Sequence, residues 1–262
     1  MRKIFQRDGL ERDAGLEAQL LAHLRVKGQE VYAFHSVSST MDVAHELAAQ
    51  GLPDGTIVWA RRQTQGRGRF GRTWESPEGG AYCSLILRPT RPAAETPQLS
   101  LVAGLATAET IQQQTGLIAT VRWPNDLLLD GRKVAGILIE HRAGAVVLGI
   151  GINISTDQTQ LPEGSTSLAA SRARACDPYQ FTGAWYRRFQ SWYATWTAQG
   201  FAPIREALRP WIGVFGHPVQ ISTGAGQIEG TASDLDETGR LLVRLDSGMV
   251  RAFDAGAVAL LR

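Results

Sequence analysis

Apolar positions at Leu16, Leu20, Leu21 and Leu24 recur with i, i+4 and i+3 spacing, which places them on one face of a helix running from about Leu10 to Arg25. A short extended run follows at Val31 to His35. Ser38, Ser39 and Thr40 then stand before Val43, Leu47 and Ala48, and hydroxyls in that place cap a helix. Gly51, Pro53, Asp54 and Gly55 end it with a turn. Thr56 to Ala60 and Tyr82 to Leu87 read as strands, being rich in β-branched and apolar residues. Ser100 to Gln113 reads as a buried helix. Three strands are expected at Thr120 to Trp123, Lys133 to His141 and Val146 to Ile150, and Asp130-Gly131 signals a hairpin into the second.

Pro178 to Gln199 has the period of a long helix and carries Phe181, Trp185, Tyr186, Phe189, Trp192, Tyr193 and Trp196. Aromatics dominate core burial, so packing is the favoured reading of this stripe over ligand stacking. From Gly213 the pattern changes to short alternating runs: Val219 to Ser222, Ile228 to Ala232, Leu241 to Leu245 and Val250 to Phe253, separated by Gly and Asp turns. The expected organisation is a helical arm over 1–30, a central α+β unit with a mixed sheet over 31–212, and a small all-β barrel over 213–262.

Apolar residues make up 44% of the 262 and charged residues 20%, which is ordinary for a globular protein. A net charge of +2 gives no general pull on nucleic acid. Lysine occurs only at Lys3, Lys27 and Lys133, so a lysine in a special setting stands out. Cys83 and Cys176 have neither metal-ligand spacing nor a disulfide pattern. No apolar stretch is long enough to cross a membrane, and the amino terminus lacks the apolar core of a signal peptide. A cytoplasmic protein is expected.

Three segments carry candidate chemistry. Gly66-Arg67-Gly68-Arg69-Phe70-Gly71 satisfies G-x-G-x-x-G, but Ser76, Pro77, Gly79 and Gly80 follow where a dinucleotide fold would need a helix. The glycines permit close approach to backbone, and Arg67, Arg69 and Arg72 offer planar donors to phosphate or carboxylate. A solvated basic loop and a nucleic-acid arm are the competing readings of the same residues. Trp123-Pro124-Asn125-Asp126 is either a turn or a strand end presenting Asn125 and Asp126 to a nucleotide and its Mg²⁺. Lys133 opens an apolar strand, and the hairpin brings it back towards Asn125 and Asp126, where its ammonium can meet an anion.

Taken in order, these segments resemble the biotin protein ligases. The resemblance rests on Ser39-Thr40, Gln63, the loop from Gly66 to Arg72 with Trp74, Trp123-Pro124-Asn125-Asp126, Lys133 with Gly136-Ile137-Leu138, and Gly149-Ile150-Gly151-Ile152-Asn153. It covers the chain from about Phe34 onward. It implies a central catalytic domain of the biotin/lipoate ligase type, like that of class II aminoacyl-tRNA synthetases, followed by an Src-homology-3-like barrel. It implies activation of biotin by ATP to biotinyl-5′-AMP, then transfer to a lysine of a biotin carboxyl carrier domain, with Mg²⁺ accompanying the nucleotide. By the resemblance, Ser39, Thr40, Met41, Gln63, Arg67, Gly68, Arg69, Lys133 and Gly136 contact biotin. Arg69, Arg72, Trp74, Asn125, Asp126 and Asn153 serve the nucleotide, Asp126 is the Mg²⁺ candidate, and Lys133, Arg67 and Arg69 are the catalytic cations.

The chain departs from the family pattern at three places. Met41 stands where Asn is usual, Gln65 where a small residue is usual, and Gly256-Ala257-Val258 lacks the customary acid, which puts a barrel contact to the nucleotide in question. About 30 residues precede the Val31 run, too few for a winged helix-turn-helix, so a ligase without repressor function, DNA or membrane partner is expected. The resemblance allows a homodimer. The rival readings are a lipoate–protein ligase and a nucleic-acid-binding module.

Overall fold

The computed structural model describes residues 11–25, 28–142, 144–171, 176–223, 226–254 and 256–261. Leu10, the expected start of the first helix, lies outside them, as do Lys3 and Lys27. Helix α1 (Ala14–Leu24) begins where the Asp13 carboxylate accepts the Leu16 N–H at 2.9 Å. Leu16, Leu20 and Leu24 are buried in the main core, so this helix is built into the central unit rather than standing off it as an arm. Strand β1 (Val31–Val37) leads to α2 (Thr40–Ala49), whose N-cap is Ser39. Then come β2 (Ile57–Gln63), β3 (Gly80–Leu87), α3 (Gln98–Thr115), β4 (Thr120–Arg122), β5 (Asp126–Leu129), β6 (Arg132–Arg142) and β7 (Ala145–Asn153). Helices α4 (Pro178–Gln199) and α5 (Ala202–Leu208) precede β8 (Pro218–Thr223), β9 (Gly226–Leu235), β10 (Leu241–Arg244), β11 (Val250–Phe253) and β12 (Ala257–Leu260).

Strands β1 to β7 form one mixed sheet in the order β1-β2-β3-β7-β6-β5-β4; β1 and β2 run parallel and the other pairs antiparallel. Asp130 and Gly131 both take positive φ, 49° and 76°, and close the two-residue hairpin between β5 and β6. Leu85, Leu148, Ile150, Ala135 and Ile137 pack against α3 and α4 in the main core. The rings of Trp185, Phe189, Tyr193 and Trp196 stack in sequence at 5.5, 5.7 and 6.0 Å. Their polar edges are satisfied on α3: Trp185 Nε1 donates to Thr107 Oγ1 at 3.0 Å and Trp196 Nε1 to Gln98 Oε1 at 2.7 Å. The aromatic stripe is therefore core.

The C-terminal unit is a five-stranded antiparallel sheet in the order β11-β10-β9-β8-β12, with β11 and β12 at its ends. It docks on the larger sheet through the turn at Thr238 and Gly239, where Trp123 Nε1 donates to Gly239 O at 3.0 Å. Arg205 and Arg209 each reach Asp234 at 2.9 Å beside it.

Candidate active site

Side chains alternate across a strand, so β6 and β7 send Ile137 and Ile150 to the helical core and Gly136, Leu138, Gly149 and Gly151 to the opposite face. Gly136 pairs with Gly151, and Leu138 and Ser84 both pair with Gly149. The result is a floor of bare backbone. It leaves room for other groups: a Cβ on Gly149 would stand 2.5 Å from Met41 Sδ, one on Gly136 3.0 Å from Trp74 Cζ3, and one on Gly151 would collide with Trp74 Nε1.

The glycine-arginine loop covers this floor as a finger, not an open coil. Gln63 bridges Ser76, Arg67 bridges Thr73, Trp74 N donates to Gly66 O at 2.9 Å and Gly68 N to Arg72 O at 2.7 Å. A single turn at Arg69–Gly71 reverses the chain, with Phe70 and Gly71 at φ 58° and 71°. Gly66 is required sterically, because a Cβ there would strike the Trp74 carbonyl.

At the inner end, Gln63 Oε1 accepts from Thr40 N at 2.8 Å and Thr40 Oγ1 at 3.1 Å, while its Nε2 donates to Ser76 Oγ at 2.8 Å. Ser84 Oγ donates to Thr40 Oγ1 at 2.8 Å. At the outer end, Lys133 Nζ lies 2.7 Å from Asp126 Oδ1 and 5.1 Å from the Trp74 ring centroid. Asp126 Oδ2 meets Arg122 at 2.7 Å. Arg69 donates to Asn125 Oδ1 at 2.9 Å and, among the described residues, has no carboxylate at hydrogen-bond distance. Burial pushes its pKa down, Asp126 offsets this in part, and Arg72 adds to the fall. A desolvated guanidinium without its own counter-ion favours an anion beside it.

All nine residues expected at biotin come together around one cavity of about 50 Å³. Ser39, Thr40, Met41 and Gln63 lie at one end, Arg67, Gly68 and Arg69 in the finger, and Lys133 and Gly136 on β6. Arg69, Arg72, Trp74, Asn125 and Asp126 line an adjoining cavity of about 360 Å³. Ser222, Gly256, Val258 and Ala259 of the C-terminal sheet line it too, so that sheet does reach the space expected for the nucleotide.

Three expectations do not match the geometry. Asn153 lines neither cavity; it is buried, and its Nδ2 donates to Thr166 O at 3.0 Å, bracing the loop whose Thr166 N donates to Lys133 O at 2.9 Å. Arg67 does not present a free guanidinium, because Asp42 at 3.1 Å and Glu140 at 3.2 Å neutralise it. Asp126 does not fit a resident Mg²⁺: its oxygens are taken by Lys133 and Arg122, and no cluster of three His, Cys, Asp or Glu among the described residues could hold a metal. Sequence reasoning passed over Ser84, Arg122, Gly149 and Gly151 at the site, and Asp42 and Glu140 as the carboxylates that hold Arg67 from outside the cavities. For the two glycines the signal was present, since Gly149 and Gly151 share a strand face by simple alternation.

Two family models match the chain: the biotin/lipoate A/B protein ligase family over residues 33–157, and the biotin protein ligase C-terminal domain over 214–261. The bifunctional ligase/repressor BirA of Bacillus subtilis is 35% identical over 240 residues, which cover 88% of this chain and 74% of that protein. A biotin–[acetyl-CoA-carboxylase] ligase of Paracoccus denitrificans is 37% identical over 212 residues, covering 76% and 88%. The chain belongs to the biotin protein ligase family. Among solved structures, the biotin protein ligase of Aquifex aeolicus in complex with biotin and ATP superposes with a TM-score of 0.78 at 28% identity, covering 89% of this chain and 99% of that one. The chain is thus an ATP-dependent ligase with biotin and ATP as its substrates, which favours biotin over the lipoate reading. No helix among the described residues is long and apolar enough to cross a membrane.

Proposed function

We propose that the glycine floor and the finger over it form the adenylating site, with Lys133 and Arg69 as the cations that bring the two anionic substrates together. One observation carries the reading: the Lys133 ammonium and the partly desolvated Arg69 guanidinium line the same small cavity above the glycines of β6 and β7. A biotin carboxylate oxygen attacks the α-phosphorus of ATP there, forming the acyl phosphate and expelling pyrophosphate. Positioning and charge neutralisation carry most of such a reaction. The saturated polar end at Thr40, Gln63 and Ser84 suits the ureido head of biotin, and the cavity bounded by Trp74 and the C-terminal sheet suits the nucleoside. The Mg²⁺ of such ligases would arrive on the polyphosphate.

The acceptor is a lysine of a carrier protein, whose amine attacks the acyl carbon and releases AMP. A third cavity, of about 650 Å³, adjoins the first through Arg69, Asn125, Ile137 and Leu138, and gives that side chain a route to the acyl group.

Biotin-dependent exchange of labelled pyrophosphate into ATP tests the site, with lipoate as the control. Lys133→Ala and Arg69→Ala should each slow exchange about a hundredfold. Unchanged exchange in both variants would refute the assigned roles.

A further inference from the structure

The finger is pinned from both sides, and the two pins differ. Arg69 is tied to the Asn125 amide by one hydrogen bond. Arg67 is held by charge: one nitrogen lies 3.1 Å from Asp42 on α2 and another 3.2 Å from Glu140 on β6. The same Glu140 oxygen lies 2.7 Å from His45 Nε2, whose side chain is only 8% exposed. Glu140 shares its strand face with Gly136 and Leu138 and pairs with Val147, so it stands on a rigid strand just beyond the floor. Finger, helix and strand thus meet at one carboxylate oxygen. Arg67 itself lines the cavity assigned to biotin, but Asp42, His45 and Glu140 line neither that cavity nor the one assigned to the nucleotide.

We infer that Glu140, supported by His45 and joined by Asp42, is a positioning residue that clasps the finger shut through Arg67 and so retains the acyl adenylate until a carrier lysine arrives. This rests on the finger covering the adenylate, as proposed above. Adenylate held beneath a closed finger meets little water. Once it escapes, water attacks the acyl carbon to give biotin and AMP, or a bystander lysine attacks it to give an amide and AMP. A clasp made of half-exposed ion pairs has a further property: salt weakens it.

The test compares the unmodified ligase with Glu140→Gln, Arg67→Ala and the double variant, each supplied with biotin and ATP but no carrier. Released AMP and labelling of an added bystander protein are measured, together with single-turnover adenylate formation. Glu140→Gln should release AMP and label the bystander about fivefold faster, an effect of the size expected for a small ion-pair network. In Glu140→Gln adenylate formation should stay within about twofold of the parent, since Glu140 lines neither cavity and no reacting group has changed. The double variant should leak no more than Arg67→Ala, and Glu140→Asp should recover part of the retention. High salt should raise leakage from the parent and leave the Arg67→Ala rate unmoved, since that variant has lost both ion pairs, which loss of fold would not produce. Asp42→Asn gives a second route should Glu140→Gln fold poorly, with a smaller leak expected. Parental retention by Glu140→Gln, or additive leaks in the double variant, would overturn the clasp. If instead the unmodified ligase itself leaks its adenylate freely, the covering role of the finger fails first.

Discussion

The two faces of the seven-stranded sheet are built from the same strands and do opposite things. Towards α3 and α4, β7 presents Val146, Leu148, Ile150 and Ile152, all buried among other side chains. One residue along, the other face presents Gly149 and Gly151. The first face excludes everything; the second has side chains removed so that a ligand and a finger can lie on backbone. On the proposed reading, ligand binding comes from subtraction within a rigid sheet, whose glycines are backed by the core on one side and by Met41 and Trp74 on the other.

Substitutions on the two faces of β7 should therefore separate activity from stability. The largest effect is expected from Gly151→Val. Its Cβ meets Trp74, so pyrophosphate exchange should fall by about a thousandfold while the melting temperature moves little, because the clash lies at the ligand face. A variant that exchanged normally would show that the floor is not where biotin lies. Leu148→Ala, on the neighbouring rung and the other face, should do the reverse. A cavity in this core costs about 2–5 kcal/mol in urea unfolding, with KM for biotin unchanged while the protein is folded. Next comes Trp185→Phe, which leaves Thr107 Oγ1 without its donor and should cost about 1 kcal/mol by the same measurement. Asp177→Ala removes the carboxylate that accepts the Gln180 N–H at the start of α4, for a further effect of about 1 kcal/mol or less and no change in activity. If either helical-side variant altered KM more than stability, the division of labour between the faces would be wrong.

The helical side was readable from the chain because its signals are local. The period of α4 and its cap residues sit within one segment, and the helix runs over the expected residues. Strand β5 was missed because Pro124, Asn125 and Asp126 are turn formers, and it is pairing with Arg122 and Val121 on one side and Gly136 and Ala135 on the other that makes a strand begin at Asp126. Helix α5 is seven residues long and holds Pro203, and β12 has no alternation to reveal it. In the site, the Asp130-Gly131 turn correctly predicted that Lys133 returns to Asp126, since a two-residue hairpin fixes the register. The role of Arg67 was not readable. Its partner Glu140 lies 73 residues away, and nothing local to the loop says that a carboxylate will meet it. The surroundings of Asn153 were not readable for a related reason: its bond to Thr166 depends on a loop whose path no periodicity encodes.

Among the described residues Lys133 is the only lysine, and every other cation lining the cavity above the floor is an arginine. An acyl phosphate is an electrophile that amines consume, whereas a guanidinium stays protonated and inert towards it. In the proposed site, Arg67 and Arg69 can thus flank an activated acid for a long dwell without scavenging it. The single amine present has its nitrogen turned to the Asp126 carboxylate, leaving the incoming carrier side chain as the unclaimed nucleophile.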